Sequence, residues 1–366
     1  MVRVLHCLDG LDRGGIETML MNIYRHVDRT LIQFDFLLTN PNHCEYEDEV
    51  LEKGGKIYRI PRLTYIAPWA YLKSLRSFFK KHEGEWKIVH SHSTAKSAFP
   101  LMAAKKYGVP VRIAHSHINQ SETKMRAFLE WMMRLLLARV LTHKFACSDD
   151  AAHYLFGSYI DDVHIIKNAI DVEKFKYSEE TRQMMRERLC SDTDLVIGNI
   201  GRMMVQKNHK FVIEVFERIH KRMPNSKLVL VGEGPLENNI KALISSLGLA
   251  DEVIFTGSVD NVNDYIQAMD VFLFPSLFEG LGMVLIEAQS SGLDCFASEN
   301  NVPSEADVTG LVRFLPLNDN AGYWADTIIE TNLNKDRLSY NQIVKSSGYD
   351  IVGNAKRIQD FYLHCV

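Results

Sequence analysis

The sequence predicts an α/β fold of two doubly wound domains, each a parallel sheet with helices on both faces. Three observations carry that expectation. Short β-branched runs alternate with longer stretches of helical period from one end of the chain to the other, as parallel strands joined by crossover helices require. The alternation pauses at the polar stretch Lys174–Arg182 and then restarts, which divides the 366 residues into domains over 1–172 and 173–349. A last amphipathic pattern, Asp350–His364, follows a gap, and the segment 350–366 is expected to pack back onto the first domain.

Taken in order, the first-domain strands are expected at Val2–Leu8, Gln33–Thr39, Lys56–Ile60, Ile88–Ser91, Val111–Ala114, Lys144–Cys147 and His164–Lys167. Helical patterns fill the gaps, the first with Ile16, Met19, Leu20, Ile23 and Val27 inward. In the second domain strands are expected at Leu195–Gly201, Lys227–Gly232, Val253–Thr256, Val271–Pro275 and Asp294–Ala297. Ligands of doubly wound sheets bind outside the C-terminal strand ends, so the strand-to-helix turns are where function belongs, and two such domains are expected to face one another across a central cleft.

Composition narrows the classes. With 46% apolar residues the chain can bury a sizeable core, and a net charge of −4 argues against a nucleic-acid binder that works by neutralising phosphates. No run of 18 apolar residues occurs and the first residues lack a secretory pattern, so a cytoplasmic protein is expected. The six cysteines form no CxxC pair and are expected as reduced, mostly buried thiols.

Four turns carry candidate chemistry. Gly10–Glu17 places Gly14 and Gly15 at a helix start, where backbone N–H groups and the helix dipole favour an anion; a plain strand-to-helix connection fits the same residues. Gly201–Asn208 offers the fork of Arg202 and the point charge of Lys207 to a diphosphate, against the bland reading of two solvated cations. Gly232-Glu233-Gly234-Pro235 ends a strand and is expected to open a helix with Pro235 in its first turn. Pro275–Ala288 is the strongest signal. A strand there ends in the turn Glu279-Gly280-Leu281-Gly282, and the next helix, starting near Gly282, aims the N–H groups of Leu281, Gly282 and Met283 at an anion. Glu279 and Glu287 flank that site, and carboxylates accept paired hydrogen bonds from sugar hydroxyls, so the turn suits a ligand with phosphate in the middle and a sugar at each end. The alternative is a helix capped by Glu279 with Glu287 solvated.

Two HxH units, His90-Ser91-His92 and His115-Ser116-His117, end predicted strands with both histidines of each on one face. Metal binding is weighed against a cleft histidine bonding a substrate hydroxyl or phosphate, and for His90 and His92 a satisfied structural histidine is the plain reading. The segment Lys124–Lys144 interleaves Lys124, Arg126, Arg134, Arg139 and Lys144 with Phe128, Trp131, Met132 and 135–137, as in helices that lie on anionic membranes; a domain helix with a basic edge fits equally.

In this order the turns resemble the retaining glycosyltransferases of family GT4, which have the two-domain GT-B fold. The resemblance covers nearly the whole chain and rests on Gly14-Gly15-Ile16-Glu17, His115-Ser116-His117, Ala146-Cys147-Ser148, Asn168-Ala169-Ile170-Asp171, Gly201-Arg202 with Lys207, and the E-x7-E spacing of Glu279 and Glu287. Within the family the chain looks most like bacterial enzymes that assemble capsular polysaccharide or exopolysaccharide. The resemblance implies an N-terminal acceptor domain and a C-terminal domain that binds a nucleotide-sugar donor, a UDP-sugar above all. It implies that Gly15 brings its N–H to the donor diphosphate, that Arg202 and Lys207 neutralise it, that Glu279 holds the transferred sugar and Glu287 the ribose. The remaining donor contacts fall to Gly232, Gly280, Leu281, Gly282 and Met283, with Leu281 where the family often has Phe. His117 takes the place of the cleft histidine near the sugar's 6-hydroxyl, with His115 as the alternative. No metal or other cofactor is implied. The expected partners are the nucleotide-sugar, a saccharide or lipid-linked saccharide acceptor and the inner membrane face, and not nucleic acid. The rival readings are a nucleotide-sugar epimerase of the UDP-GlcNAc 2-epimerase type, a catalytically silent nucleotide-sugar-binding scaffold, and a metal hydrolase built on the HxH units.

Overall fold

The computed structural model describes the chain except residues 13, 65–67, 118–123, 159, 192–193 and 319 and the side chains of 124–129. Lys124, Arg126 and Phe128, expected to take part in a membrane face, therefore have their side chains outside the described residues, as does Arg13 of the first glycine turn.

Two compact units are present, Met1–Ala169 with Ile351–Val366, and Ile170–Asp350. The first break falls between Ala169 and Ile170 instead of after residue 172. The first unit runs β1 (Val2–Leu8), α1 (Gly15–His26), β2 (Ile32–Leu38), α2 (Glu47–Glu52), β3 (Lys56–Arg59), α3 (Pro68–Lys81), β4 (Ile88–Ser91), α4 (Ala98–Lys106), β5 (Val111–Ser116), α5 (Lys124–Ala138), β6 (His143–Ala146), α6 (Asp149–Phe156) and β7 (Val163–Ile165). The second runs α7 (Glu179–Leu189), β8 (Leu195–Ile200), α8 (His209–Arg222), β9 (Ser226–Val231), α9 (Glu237–Ser246), β10 (Val253–Gly257), α10 (Val262–Ala268), β11 (Val271–Phe274), α11 (Met283–Ser290), β12 (Asp294–Ser298), β13 (Val312–Leu315), α12 (Ala321–Glu330) and α13 (Tyr340–Val344). The last helix, α14 (Ile351–His364), belongs to the first unit.

All strand pairs are parallel, in the orders β3-β2-β1-β4-β5-β6-β7 and β10-β9-β8-β11-β12-β13. Parallel sheets are covered on both faces, which is why β2 is buried at every position. Alternate residues of the first sheet feed two cores. Val4, Phe34, Ile88 and Ile113 pack with Met19 and Ile23 of α1 and Ile358 of α14, while Leu5, Leu37, Val89 and Ala114 pack with Leu75 of α3 and Leu101 of α4. Polar ties hold α14 in place: Asn354 Nδ2 donates to the Lys167 carbonyl at 3.0 Å, and the Asp28 N–H donates to Gln359 Oε1 at 2.7 Å.

Two expectations are corrected. Val312–Leu315 forms a thirteenth strand that the sequence reading passed over; it pairs on one side only, with β12. Pro235 lies outside α9, which begins at Glu237 with Leu236 as its N-cap. The six cysteines are free thiols, Cys7, Cys44 and Cys295 buried and Cys147, Cys190 and Cys365 half-buried.

Candidate active site

In each sheet the winding reverses between two neighbouring strands, β1 and β4 in the first unit and β8 and β11 in the second, and the loops leaving such strands splay apart to open a crevice. The predicted site residues leave from these strand ends, from β5 and, for Gly232, from β9.

In the second unit the turns after β8 and β11 are stapled together. Asn208 Nδ2 donates to the Pro275 carbonyl at 3.1 Å, Gln206 Nε2 to the Phe278 carbonyl at 2.8 Å, and the Leu277 N–H to the Gln206 carbonyl at 2.8 Å. The fourth link is the ion pair of Lys207 Nζ with Glu279 Oε1 at 2.6 Å, their side chains 16% and 8% exposed. Lys207 also lies over the Phe274 ring, 4.7 Å from its centroid. Its methylenes run past Gly201, where a Cβ would fall 3.1 Å from Lys207 Cε. Gly232 closes the back of this arrangement: its φ is +125°, a Cβ there would fall 2.4 Å from the Gly201 carbonyl oxygen, and its N–H donates to the Gly257 carbonyl at 2.9 Å. Its role is thus close backbone approach, because its donor is already used. Arg202 is exposed and its side chain has no partner among the described residues.

At the following turn the N-cap of α11 is Gly282, left-handed at φ +78°, with no side-chain cap. A Cβ at Gly282 would also meet Phe274 at 3.0 Å, so the residue that opens the helix has to be glycine. The capping role considered for Glu279 is thereby excluded, since its carboxylate is held by Lys207. The N–H groups of Gly280, Leu281, Gly282 and Met283 find no partner among the described residues, leaving donors at the positive end of α11. Glu287 is half-buried in that helix and has no hydrogen bond or ion pair among the described residues. Desolvation pushes its carboxyl up to about 7 against the opposing pull of Lys174.

In the first unit α1 opens at Gly15, whose N–H has no partner among the described residues and beside which a Cβ would meet open space. The Glu17 carboxyl folds back over Gly14, its pKa raised first by desolvation and then by Asp12 and Asp9, while its own backbone N–H lowers it.

The histidines form a ladder on the α14 face of the sheet. Five imidazoles stack: His90 on His92 with centroids 4.4 Å apart, His115 on His117 at 4.0 Å, and His6, which the sequence did not single out, on both His90 and His92. Two hydrogen-bonded chains thread it. One joins His6 Nδ1 to His92 Nε2 at 3.0 Å and His92 Nδ1 to His117 Nε2 at 2.9 Å; the other joins the Tyr362 hydroxyl to His90 Nδ1 at 2.6 Å and His90 Nε2 to His115 Nδ1 at 3.2 Å. His117 is half-exposed whereas His115 is wholly buried, so of the two candidates His117 is the one that reaches the surface. Burial lowers the pKa of all five, to about 3 for His6 and His117, so they are neutral at pH 7. The triads His6/His90/His92 and His92/His115/His117 bring ring nitrogens within 4.8 Å, but in each triad two of those nitrogens already hydrogen-bond one another. The arrangement is that of a hydrogen-bond ladder.

On the opposite face of that sheet, α3 packs on α4 and α4 on α5. Trp69 of α3 and Trp131, Met132, Leu135 and Leu136 of α5 are exposed, and Lys73, Arg76 and Lys80 line a groove of about 410 Å³ with Trp69 and Tyr107. Two of the expected basic residues are engaged elsewhere: Lys144 pairs with Asp162 at 2.5 Å and Arg134 lies over the Tyr154 ring at 4.3 Å. No helix among the described residues is long and apolar enough to cross a membrane.

Two Rossmann-like units, one bearing two cations, two carboxylates and free amide donors at its switch point, fit the GT-B architecture. Comparison with known proteins gives the family. Residues 13–174 match Glycosyltransferase Family 4 and residues 180–345 match Glycosyl transferases group 1. The putative glycosyltransferase EpsF of Bacillus subtilis is 34% identical over 98% of this chain and 96% of its own length. An Escherichia coli UDP-Gal:alpha-D-GlcNAc-diphosphoundecaprenol alpha-1,3-galactosyltransferase is 27% identical over 87% of this chain and 86% of its own. The crystal structure of Anabaena HepE in complex with UDP and glucose superposes with a TM-score of 0.70 at 16% identity, covering 99% of both chains. This chain belongs to the family 4 glycosyltransferases.

Proposed function

We propose that this chain transfers a hexose from a UDP-sugar, with retention of anomeric configuration, to a saccharide carried on a polyprenyl diphosphate during assembly of a bacterial polysaccharide. The observation that carries the reading is the Lys207–Glu279 pair beside the free amide donors of α11, with the unpartnered Glu287 carboxyl one helix turn and more below. Lys207, Arg202 and the N–H groups of 280–283, joined by Gly15, hold the diphosphate; Glu279 accepts from the transferred sugar, Glu287 from the ribose, and His117 bonds the sugar's 6-hydroxyl. The C-terminal unit is thus the donor domain and the N-terminal unit the acceptor domain. The cations and helix terminus stabilise the leaving charge without a divalent metal, and the leaving phosphate oxygen takes the acceptor's proton on the same face, so no protein nucleophile is used. The relative whose name specifies a UDP-Gal donor and a diphosphoundecaprenol-linked acceptor supports the choice of both substrates, and HepE with UDP bound supports the nucleotide. Exposed Trp69 and Trp131, with the exposed cations Lys73, Arg76 and Lys80 of α3, support contact with the inner membrane face, where such an acceptor resides.

The test incubates the purified chain with UDP-hexoses and an undecaprenyl-diphosphate-linked saccharide, with and without EDTA. The expected product is an elongated lipid-linked saccharide whose new bond keeps the donor's configuration, formed equally in EDTA. An inverted product refutes retention, loss of activity in EDTA restored by a divalent ion refutes the metal-independent chemistry, and epimerised UDP-sugar formed without acceptor refutes transfer.

A further inference from the structure

The strand register gives the histidine chains a direction. His6 lies level with His90 and His90 level with Ile113, so the bonds His6–His92 and His92–His117 each step to the next strand and two residues toward the C-terminal strand ends. The chain therefore runs from the buried middle of the sheet to His117. Each neutral imidazole carries one N–H, so one end of the chain sets the tautomer of every ring in it. At the inner end His6 Nε2 is fully buried and has no hydrogen-bond partner, with the Phe34 and Phe36 rings as its neighbours. A proton on that nitrogen would be an orphaned buried donor, which costs more than a bare lone pair left in an apolar site. The proton of His6 accordingly sits on Nδ1 and is donated to His92 Nε2; His92 Nδ1 then donates to His117 Nε2. That leaves the proton of His117 on Nδ1, the nitrogen with no partner among the described residues.

Resting on the proposed role of His117 toward the transferred sugar, we infer that His92, backed by His6, is a positioning residue that locks His117 as a hydrogen-bond donor through Nδ1. The site then offers the ligand an N–H, which selects an acceptor oxygen, a sugar hydroxyl lone pair or a phosphate oxygen, at that point. The other chain, Tyr362–His90–His115, stacks against the first and ends on a buried nitrogen, so it braces the ladder without reaching the surface.

The test is the ¹⁵N spectrum of histidine-labelled full-length protein at pH 7, with the His117 signals assigned by their loss in His117→Gln. The wild type is expected to show His117 protonated on Nδ1. In His92→Phe, His117 moves to the Nε2-protonated form or a mixture; His92→Gln, whose amide can accept from His6 and donate to His117, restores Nδ1. Should His92→Phe fail to fold, His6→Phe acts one link further in and is expected to give a mixture. Steady-state rates with a UDP-sugar fall about tenfold in His92→Phe, the loss of one hydrogen bond, while UDP affinity stays unchanged. A wild-type His117 protonated on Nε2, or a tautomer that survives His92→Phe, overturns the inference. An active site indifferent to His117→Ala instead overturns the role given to His117, and leaves the tautomer result to be read by itself.

Discussion

Glu279→Gln separates the two partners of the site's central ion pair, because the ligand is expected to compete with Glu279 for Lys207. At the observed 2.6 Å the gross attraction is about 6 kcal/mol for an effective dielectric near 20. Desolvation offsets most of that, and a hydrogen bond between charged groups nets about 1.5–3 kcal/mol. A glutamine carbonyl still accepts from the lysine, so the substitution removes the charge component, about half of the net, or roughly 0.8–1.5 kcal/mol. It also removes a negative charge that repels a diphosphate. UDP is therefore expected to bind Glu279→Gln about four- to twelvefold more tightly than the wild type at low salt, the equivalent of that energy. Turnover of the UDP-sugar is expected to fall about 10²-fold, since the group that holds the transferred sugar has lost its charge. Titration calorimetry with UDP and initial rates with the UDP-sugar measure the two effects on one preparation. Weaker or unchanged UDP binding would show that the diphosphate does not draw Lys207 from Glu279, and the assignment of Lys207 to the diphosphate would fall.

Glu287 makes stability depend on pH. Its folded pKa of about 7 stands above the ordinary 4.5, so the folded state holds the extra proton between those values, and stability is lost as pH rises from about 4.5 to 7. The loss amounts to about 2–3 kcal/mol, and Glu287→Gln is expected to abolish it; a denaturant midpoint with the same pH slope in the variant refutes the assignment. UDP affinity is expected to rise through pH 7 in the wild type and to stay flat in that variant, as calorimetry at pH 6 and pH 8 would show. Gly282→Ala forces a Cβ into a left-handed position 3.0 Å from Phe274 and is expected to cost about 1–2 kcal/mol and lower the melting temperature by a few degrees; an unchanged melt would mean that α11 starts elsewhere. Trp69→Ser together with Trp131→Ser is expected to reduce co-sedimentation with anionic vesicles while leaving UDP affinity intact, and equal sedimentation would remove this face from the membrane.

Most strands were legible as short apolar runs, many of them β-branched, between turns, and β1 and β4 fall where the sequence put them. β13 escaped for a physical reason: it is an edge strand, Val-Arg-Phe-Leu, with exposed Arg313 interrupting the apolar run. In the site, Lys207, Glu279 and Gly282 announced themselves through residue type and spacing, whereas Gln206 and Asn208, which staple the two turns, look like ordinary loop polars until a partner some 70 residues away is known. His6 was hidden in the same way, since a lone histidine in an apolar strand becomes a ladder member only through its register with β4. Glu287 did carry a readable signal. Met283–Ser290 is apolar on nearly every side, a pattern of helices that are largely buried, so a carboxylate within it stands out. Half-buried without a partner, its charged form is disfavoured in the free protein, and under the proposed function the ribose hydroxyls would supply the hydrogen bonds it lacks.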